Sequence, residues 1–298
     1  MQRVANLRRL YLVFGFLLFL HCNLAGETFK NPLLVLTGSN PVDVSEGDFN
    51  GDGNPDLAYM DGSGLHILLG NGDGTFAHGQ NLSLLQGMGG TITVADVNKD
   101  GRLDLLLGSS NPQVQIGVWL GKGDGTFGSI IVTTVSLNLN LYATTLSRFG
   151  VADLDGDGAS DLIVGDSLNN QLYILHGNNS GSFTLGAVIP DGSSPAEVFT
   201  GDFNGDGYED FLVHGWLGAD VKVYLGNGDG TFQSGVVYGG GAVLDAAFSS
   251  VVLADMDGDG HADMVVGTHA NTIEILHGNA DGTFATTSSG GATLNSSC

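Results

Sequence analysis

Two cysteines in 298 residues are too few to staple a fold of this size. One, Cys22, sits in an apolar N-terminal segment; once that segment is removed only Cys298 remains, and no intrachain disulfide can form. Basic residues are also scarce: nine Lys and Arg stand against 32 Asp and Glu, a net charge of −23. Nucleic acid and anionic membrane surfaces both need a basic footprint, so neither is an expected partner. Proline is rare at six, and no stretch sustains a capped 3.6-residue apolar period, which leaves helix nearly absent. The most apolar run, Leu10 to Leu20, is too short to span a bilayer comfortably.

What the chain does have is glycine, 49 residues, and a hydrophobic content of 42%. Together these suit many short strands joined by tight turns, and they exclude a disordered chain. Residues 1–26 read as a secretory signal: Arg3, Arg8 and Arg9 form a basic start before the apolar run, with cleavage after Ala25 or Gly26. An uncleaved anchor is the alternative, and the Arg8-Arg9 pair hints at twin-arginine export. Processing leaves six basic residues against all 32 acids, a net charge of −26. No membrane insertion is expected beyond this segment. The chain is expected outside the cytoplasm, secreted, at the cell surface or in a periplasm, with residues 27–298 forming one domain.

Self-comparison supplies the architecture. DFNGDGNPDL at 48–57 returns as DVNKDGRLDL at 96–105, DLDGDGASDL at 153–162, DFNGDGYEDF at 202–211 and DMDGDGHADM at 255–264. A second phrase, LGNGDGTF at 69–76, recurs at 120–127, 225–232 and 277–284, and in degraded form as HGNNSGSF at 176–183. Each unit reads as four strands, with a strand before the Asp loop, one after it, one running into the Gly-Asp-Gly hairpin and one following it, as in NLSLLQ at 81–86. Four strands in roughly 50 residues, repeated in tandem, predict an all-β fold, a β-propeller of four-stranded blades. Five repeats are visible, so the chain is either a five-bladed ring or part of a seven-bladed one. Leu33 to Leu36 resemble the fourth strand of a repeat yet precede the first Asp loop; they are expected to complete the last blade and close the ring.

Within loops 48–56, 96–104, 153–161, 202–210 and 255–263, side-chain oxygens stand at positions 1, 3, 5 and 9. They are Asp48, Asn50, Asp52 and Asp56; Asp96, Asn98, Asp100 and Asp104; Asp153, Asp155, Asp157 and Asp161; Asp202, Asn204, Asp206 and Asp210; and Asp255, Asp257, Asp259 and Asp263. Position 6 is always Gly, which supplies the positive φ a wrapped loop needs. All-oxygen ligation rich in carboxylate is what Ca²⁺ prefers, one ion per repeat and about five in all. Neither cysteine nor paired histidine stands in the loop, which disfavours zinc there. Three carboxylates in each of three loops and four in each of two account for 17 of the 32 acids, so much of the charge imbalance has a place to go. The EF-hand shares the first six positions but needs a Glu at position 12; Tyr59, Leu107, Val164, Val213 and Val266 stand there, each in a strand-like run.

These motifs resemble the FG-GAP/VCBS repeats of integrin α-subunit N-terminal-like propellers. The resemblance spans about residues 27–284 and implies a calcium-loaded extracellular propeller that serves binding or adhesion, its partner an extracellular protein or glycan. It further implies ions on one face and partners on the other, the latter near Asp61-Gly62, Asn111-Pro112, Asn169-Asn170, His214 to Trp216 and His269 to Asn271. A polysaccharide-active enzyme of lyase or hydrolase type is the rival reading, with Trp216 able to stack on a sugar ring, and a purely structural surface protein is the third. No G-x-S-x-G elbow or P-loop is present and His66, His214 and His269 lack triad spacing, so no catalytic residue is assigned. His176 and His277 replace Leu69, Leu120 and Leu225 of the other repeats and read as structural. Trp119 reads as core.

Overall fold

A computed structural model describes residues 40–85, 87–109, 114–135, 149–167, 169–192, 194–215, 220–239, 248–268 and 273–285. Among them there is no helix, and so none long and apolar enough to cross a membrane. The signal segment, Leu33 to Leu36 and Trp216 lie outside the described residues.

Each repeat is one antiparallel sheet with its strands in sequence order. Blade 1 holds β1 (Asp43–Gly47), β2 (Asp56–Asp61), β3 (Gly64–Gly70) and β4 (Phe76–Leu82). Blade 2 holds β5 (Met88–Ala95), β6 (Asp104–Ser109), β7 (Val114–Trp119) and β8 (Ile131–Val135). Blade 3 holds β9 (Gly150–Ala152), β10 (Asp161–Asp166), β11 (Gln171–Gly177) and β12 (Phe183–Pro190). Blade 4 holds β13 (Pro195–Gly201), β14 (Asp210–Gly215), β15 (Asp220–Tyr224) and β16 (Val236–Gly239). Blade 5 shows three strands, β17 (Phe248–Ala254), β18 (Asp263–Thr268) and β19 (Ile273–Leu276). The five sheets are arranged in a ring, a five-bladed β-propeller; this decides the blade count.

One strand differs from its expected place. The fourth strand of blade 1 begins at Phe76 rather than at residue 81, because Phe76 pairs directly with Gly70 across the hairpin. In blades 2, 4 and 5 the corresponding Phe forms an isolated bridge to its Gly, as Phe127 does to Gly121.

Apolar side chains on both faces of a blade pack against the neighbouring blades. Four buried clusters fill successive seams: Ile67 and Met60 with Trp119 and Phe127; Leu106 and Val118 with Phe149 and Leu175; Ile163 and Ile174 with Phe211 and Val213; and Leu212 and Val223 with Val266 and Phe284. Trp119 is 2% exposed, a core residue as its sequence context indicates. A large apolar side chain buried in this way contributes about 1.5–3 kcal/mol. Polar bonds give the seams their register. The β5 residue Ile92 accepts from Ser45 Oγ and donates to Asp43, Phe149 N donates to Thr93 Oγ1, and Thr200 Oγ1 donates to Val151 O, so innermost strands are tied blade to blade. At the periphery the Phe of the hairpin phrase donates its N–H to a side chain of the preceding blade, Phe127 to Gln80, Phe183 to Thr133 and Phe284 to Tyr238.

Candidate metal centres

In a four-stranded meander the first and third connections emerge at the same end, so each Asp loop lies beside the Gly-Asp-Gly hairpin of its own blade. The loop wraps its first aspartate. Asp48 accepts the N–H groups of Gly51 (2.7 Å), Asp52 (3.2 Å) and Gly53 (2.9 Å). Asp202 takes the same three from Gly205, Asp206 and Gly207. Asp96, Asp153 and Asp255 each take two, and all three include the position 6 glycine. That glycine has φ between 83° and 93° in all five loops, as the sequence requires. Position 4 is left-handed as well; Gly stands there four times and Lys99 once, at φ 57°.

Positions 3 and 5 continue the spiral. The position 3 oxygen accepts the N–H of position 5, for example Asn50 Oδ1 from Asp52 at 2.9 Å and Asp155 Oδ1 from Asp157 at 3.1 Å. The position 5 carboxylate accepts the N–H of position 7, from Asn54, Arg102, Ala159, Tyr208 and His261. The N–H of Asn54 is the main reason Asp52 is held below the usual carboxylate range. The spiral gathers side-chain oxygens most closely where position 3 is Asp. In the third loop Asp153, Asp155 and Asp157, and in the fifth Asp255, Asp257 and Asp259, each bring one oxygen within 4.8 Å of the others. These oxygen-only donors, presented by a pre-wrapped backbone, fit a hard divalent cation.

Position 9 has an additional task that its spacing did not reveal. Asp56, Asp104, Asp161, Asp210 and Asp263 are all 0% exposed. Their Oδ2 atoms accept the N–H of position 2 (Phe49, Val97, Leu154, Phe203 and Met256) at 2.7–3.0 Å. Their Oδ1 atoms accept the N–H of the glycine opening the hairpin phrase (Gly70, Gly121, Gly177, Gly226 and Gly278) at 2.7–2.9 Å. The ninth carboxylate thus ties the Asp loop to the third strand of its blade. Burial raises Asp104 to about 6 despite those two bonds, and raises Asp161 and Asp210 in the same direction. A cation at the loop would counter that burial by stabilising the charged form.

Two histidines read as structural from sequence lie among these carboxylates. His176 Nδ1 is 3.1 Å from Asp155 Oδ2 and 3.7 Å from Asp161 Oδ1; His277 Nδ1 is 3.2 Å from Asp257 and 3.5 Å from Asp263. A signal was available in the sequence: His stands before the hairpin glycine only in the two repeats whose position 3 is Asp rather than Asn.

At the opposite end, the β2–β3 hairpin lines up Ser63, His66 and Asn81, with Ser63 Oγ 3.0 Å from His66 Nε2 and Asn81 Oδ1 2.8 Å from Nδ1. The Ser63 hydroxyl donates to Asp61 Oδ1 at 2.6 Å, so its proton is already committed to a turn carboxylate. The group is a hairpin lock rather than an activated nucleophile. Asn170 on the same end holds Ser194 through its side-chain oxygen. The segments at 111–112, 216 and 269–271 lie outside the described residues.

The FG-GAP-like repeat family matches residues 48–107, 96–164, 153–213 and 216–266, and the FG-GAP repeat family matches 247–286. The chain belongs to the FG-GAP repeat family, whose repeats here build the five-bladed propeller. Among known proteins it is similar to integrin alpha pat-2 of Caenorhabditis briggsae and of Caenorhabditis elegans, each 27% identical over 176 residues. Those alignments cover 46% of this chain and 14% of either integrin, so the chain corresponds to a small part of its curated relatives. Of solved structures, BBS1N in complex with ARL6DN, soaked with lead, superposes with a TM-score of 0.53 at 19% identity, covering 81% of this chain and 66% of that one.

Proposed function

We propose that the protein is a calcium-stabilised extracellular propeller that acts as a binding or adhesion module without enzymatic activity. The observation that carries the reading is the loop geometry: five times over, a backbone spiral wraps the position 1 carboxylate beside a buried ninth carboxylate, and in two loops the oxygens of positions 1, 3 and 5 lie within 4.8 Å of one another. One Ca²⁺ at each loop, held by the twenty residues at positions 1, 3, 5 and 9, neutralises carboxylates that otherwise repel. Three of them within about 5 Å oppose one another by roughly 1–3 kcal/mol per pair. In a chain without an intrachain disulfide, ions are the available staple.

Similarity to integrin alpha supports an extracellular setting, with a secretion signal at residues 1–26 and a single domain over 27–298. The end away from the ions presents the contact surface for a protein or glycan. The commitment of Ser63 to Asp61 argues against hydrolysis by the Ser63–His66 pair. Calcium-loaded protein passed over immobilised glycans and extracellular-matrix proteins is expected to be retained and then released by chelator. Capture indifferent to chelator, or depolymerisation of a captured polysaccharide, contradicts the reading.

A further inference from the structure

The five loops are not equivalent, and the difference involves residues outside the Asp motif. Where position 3 is Asn50, Asn98 or Asn204, its amide donates to the position 5 carboxylate at 3.1, 3.2 and 2.9 Å, and the residue before the hairpin glycine is Leu69, Leu120 or Leu225. Where position 3 is Asp155 or Asp257 that donor is gone, a fourth carboxylate is present, and the residue before the glycine is His176 or His277. Both changes occur together, twice, in blades that are not adjacent in sequence.

The two histidines are placed alike. Each Nδ1 is sealed from solvent, makes no hydrogen bond among the described residues, and lies with one oxygen of position 3 and one of position 9 inside 4.8 Å. The His176 ring is held in place: its Cε1 packs on Gly230 of the next blade, and a Cβ at Gly186 would fall on its other edge. Both nitrogens stand 3.1–3.7 Å from two carboxylate oxygens yet outside hydrogen-bond geometry, the placement of ligands around a shared ion, and the arrangement recurs. An imidazole nitrogen with two carboxylate oxygens is a donor set for a borderline first-row ion, softer than the all-oxygen set of the same loop.

We infer that blades 3 and 5 carry a second class of cation site, Asp155–Asp161–His176 and Asp257–Asp263–His277, which takes a zinc-type transition ion through the histidine Nδ1. It sits beside the calcium loop and shares position 3 and position 9 with it. The assignment needs no calcium at the other three loops, so it stands or falls separately from the proposed function.

Titration calorimetry with Zn²⁺ in calcium-free buffer, on the full chain, tests it. Two zinc ions per chain are expected at micromolar or tighter affinity. His176→Leu with His277→Leu installs the residue found in the other three blades, and is expected to weaken that binding at least tenfold while leaving the calcium stoichiometry, titrated separately, unchanged. The converse pair Asn98→Asp and Leu120→His is expected to raise the zinc count from two to three. Zinc binding equal in parent and double-Leu protein, or absent from the parent, overturns the assignment. Loss of calcium without loss of zinc overturns the calcium reading alone.

Discussion

At the scale of single residues, the repeated aspartates divide into two kinds that look identical in sequence. The side chain of Asp52 is exposed and accepts only from its own loop, from Asn54 N and Asn50 Nδ2. Asp56 is wholly buried and holds the N–H groups of Phe49 and Gly70, the latter 14 residues away. Truncating Asp56 to alanine strands two buried donors, each worth about 1–3 kcal/mol. Asp52→Ala strands none that water cannot reach. In chelator, therefore, denaturant unfolding of Asp56→Ala should show a loss of about 2–6 kcal/mol and that of Asp52→Ala less than about 1 kcal/mol. In calcium both variants also give up a proposed ligand, so both losses should grow relative to the parent. Equal losses in chelator contradict the division. Spacing alone identified both residues as oxygen donors; it could not reveal the backbone partner of the ninth, because that partner belongs to a different strand.

At the scale of the element, the Asp loop and the hairpin phrase are one unit. The hairpin closes on itself through Asn71 N to Thr75 O and Thr75 to Asp73, and the same bonds recur at Lys122–Thr126, Asn227–Thr231 and Asn279–Thr283. Thr side chains and N–H groups hold Asp73, Asp124, Asp229 and Asp281 below the ordinary carboxylate range. The glycine that opens the phrase lies against the Asp loop so closely that a Cβ there would fall on the position 8 carbonyl oxygen, that of Leu103 for Gly121 and of Pro55 for Gly70. Gly121→Ala must push the loop off its strand, breaking the Asp104 bond; a destabilisation of about 1–3 kcal/mol or more is expected in thermal or denaturant melts. A neutral effect would show that the loop and hairpin move independently. Five repeats made both phrases legible in sequence, whereas the contact between them was not, nor was the start of the first blade's fourth strand at Phe76. The place of His176 and His277 among the carboxylates was hidden for a related reason: the position they occupy is apolar in three repeats, and only the paired change at position 3 marks them.

For the whole molecule, the acids that define the loops also oppose the fold that carries them. Burial keeps Asp104 protonated up to about 6, against 3.8 for a free carboxyl, and shifts Asp161, Asp210 and Glu209 upward too. The folded, ion-free protein thus holds protons that the unfolded chain has already released. The stability these four groups contribute is full below pH 4 and falls as pH rises toward 6, while the lowered carboxylates Asp52, Asp73, Asp124, Asp229 and Asp281 act in the opposite sense, chiefly below pH 4. His214, lowered by burial, pulls the other way near its ordinary 6.5, but it is one group against four. Calcium favours the charged carboxylates and competes with the same protons, so the slope should invert when it is present. Melting midpoints between pH 4 and 7 are expected to decline in chelator and to rise in millimolar calcium. Parallel curves contradict an ion at the buried carboxylates.

The propeller class followed from the period of the repeat and from the alternation of its strands, because each blade must cover its faces with its neighbours. The choice between a full five-bladed ring and part of a seven-bladed one came only with the arrangement of the sheets. The seam fillers, Trp119, Phe127, Phe211 and Phe284 among them, lie in the strand and hairpin phrases where that logic puts them. The central proposal is that each Asp loop is a calcium site. Counting the ions is the direct test: calorimetric titration of the chelator-stripped, refolded protein with Ca²⁺ should saturate at about five per chain in the micromolar to millimolar range. A protein that remains folded yet takes up no calcium at millimolar concentration contradicts it.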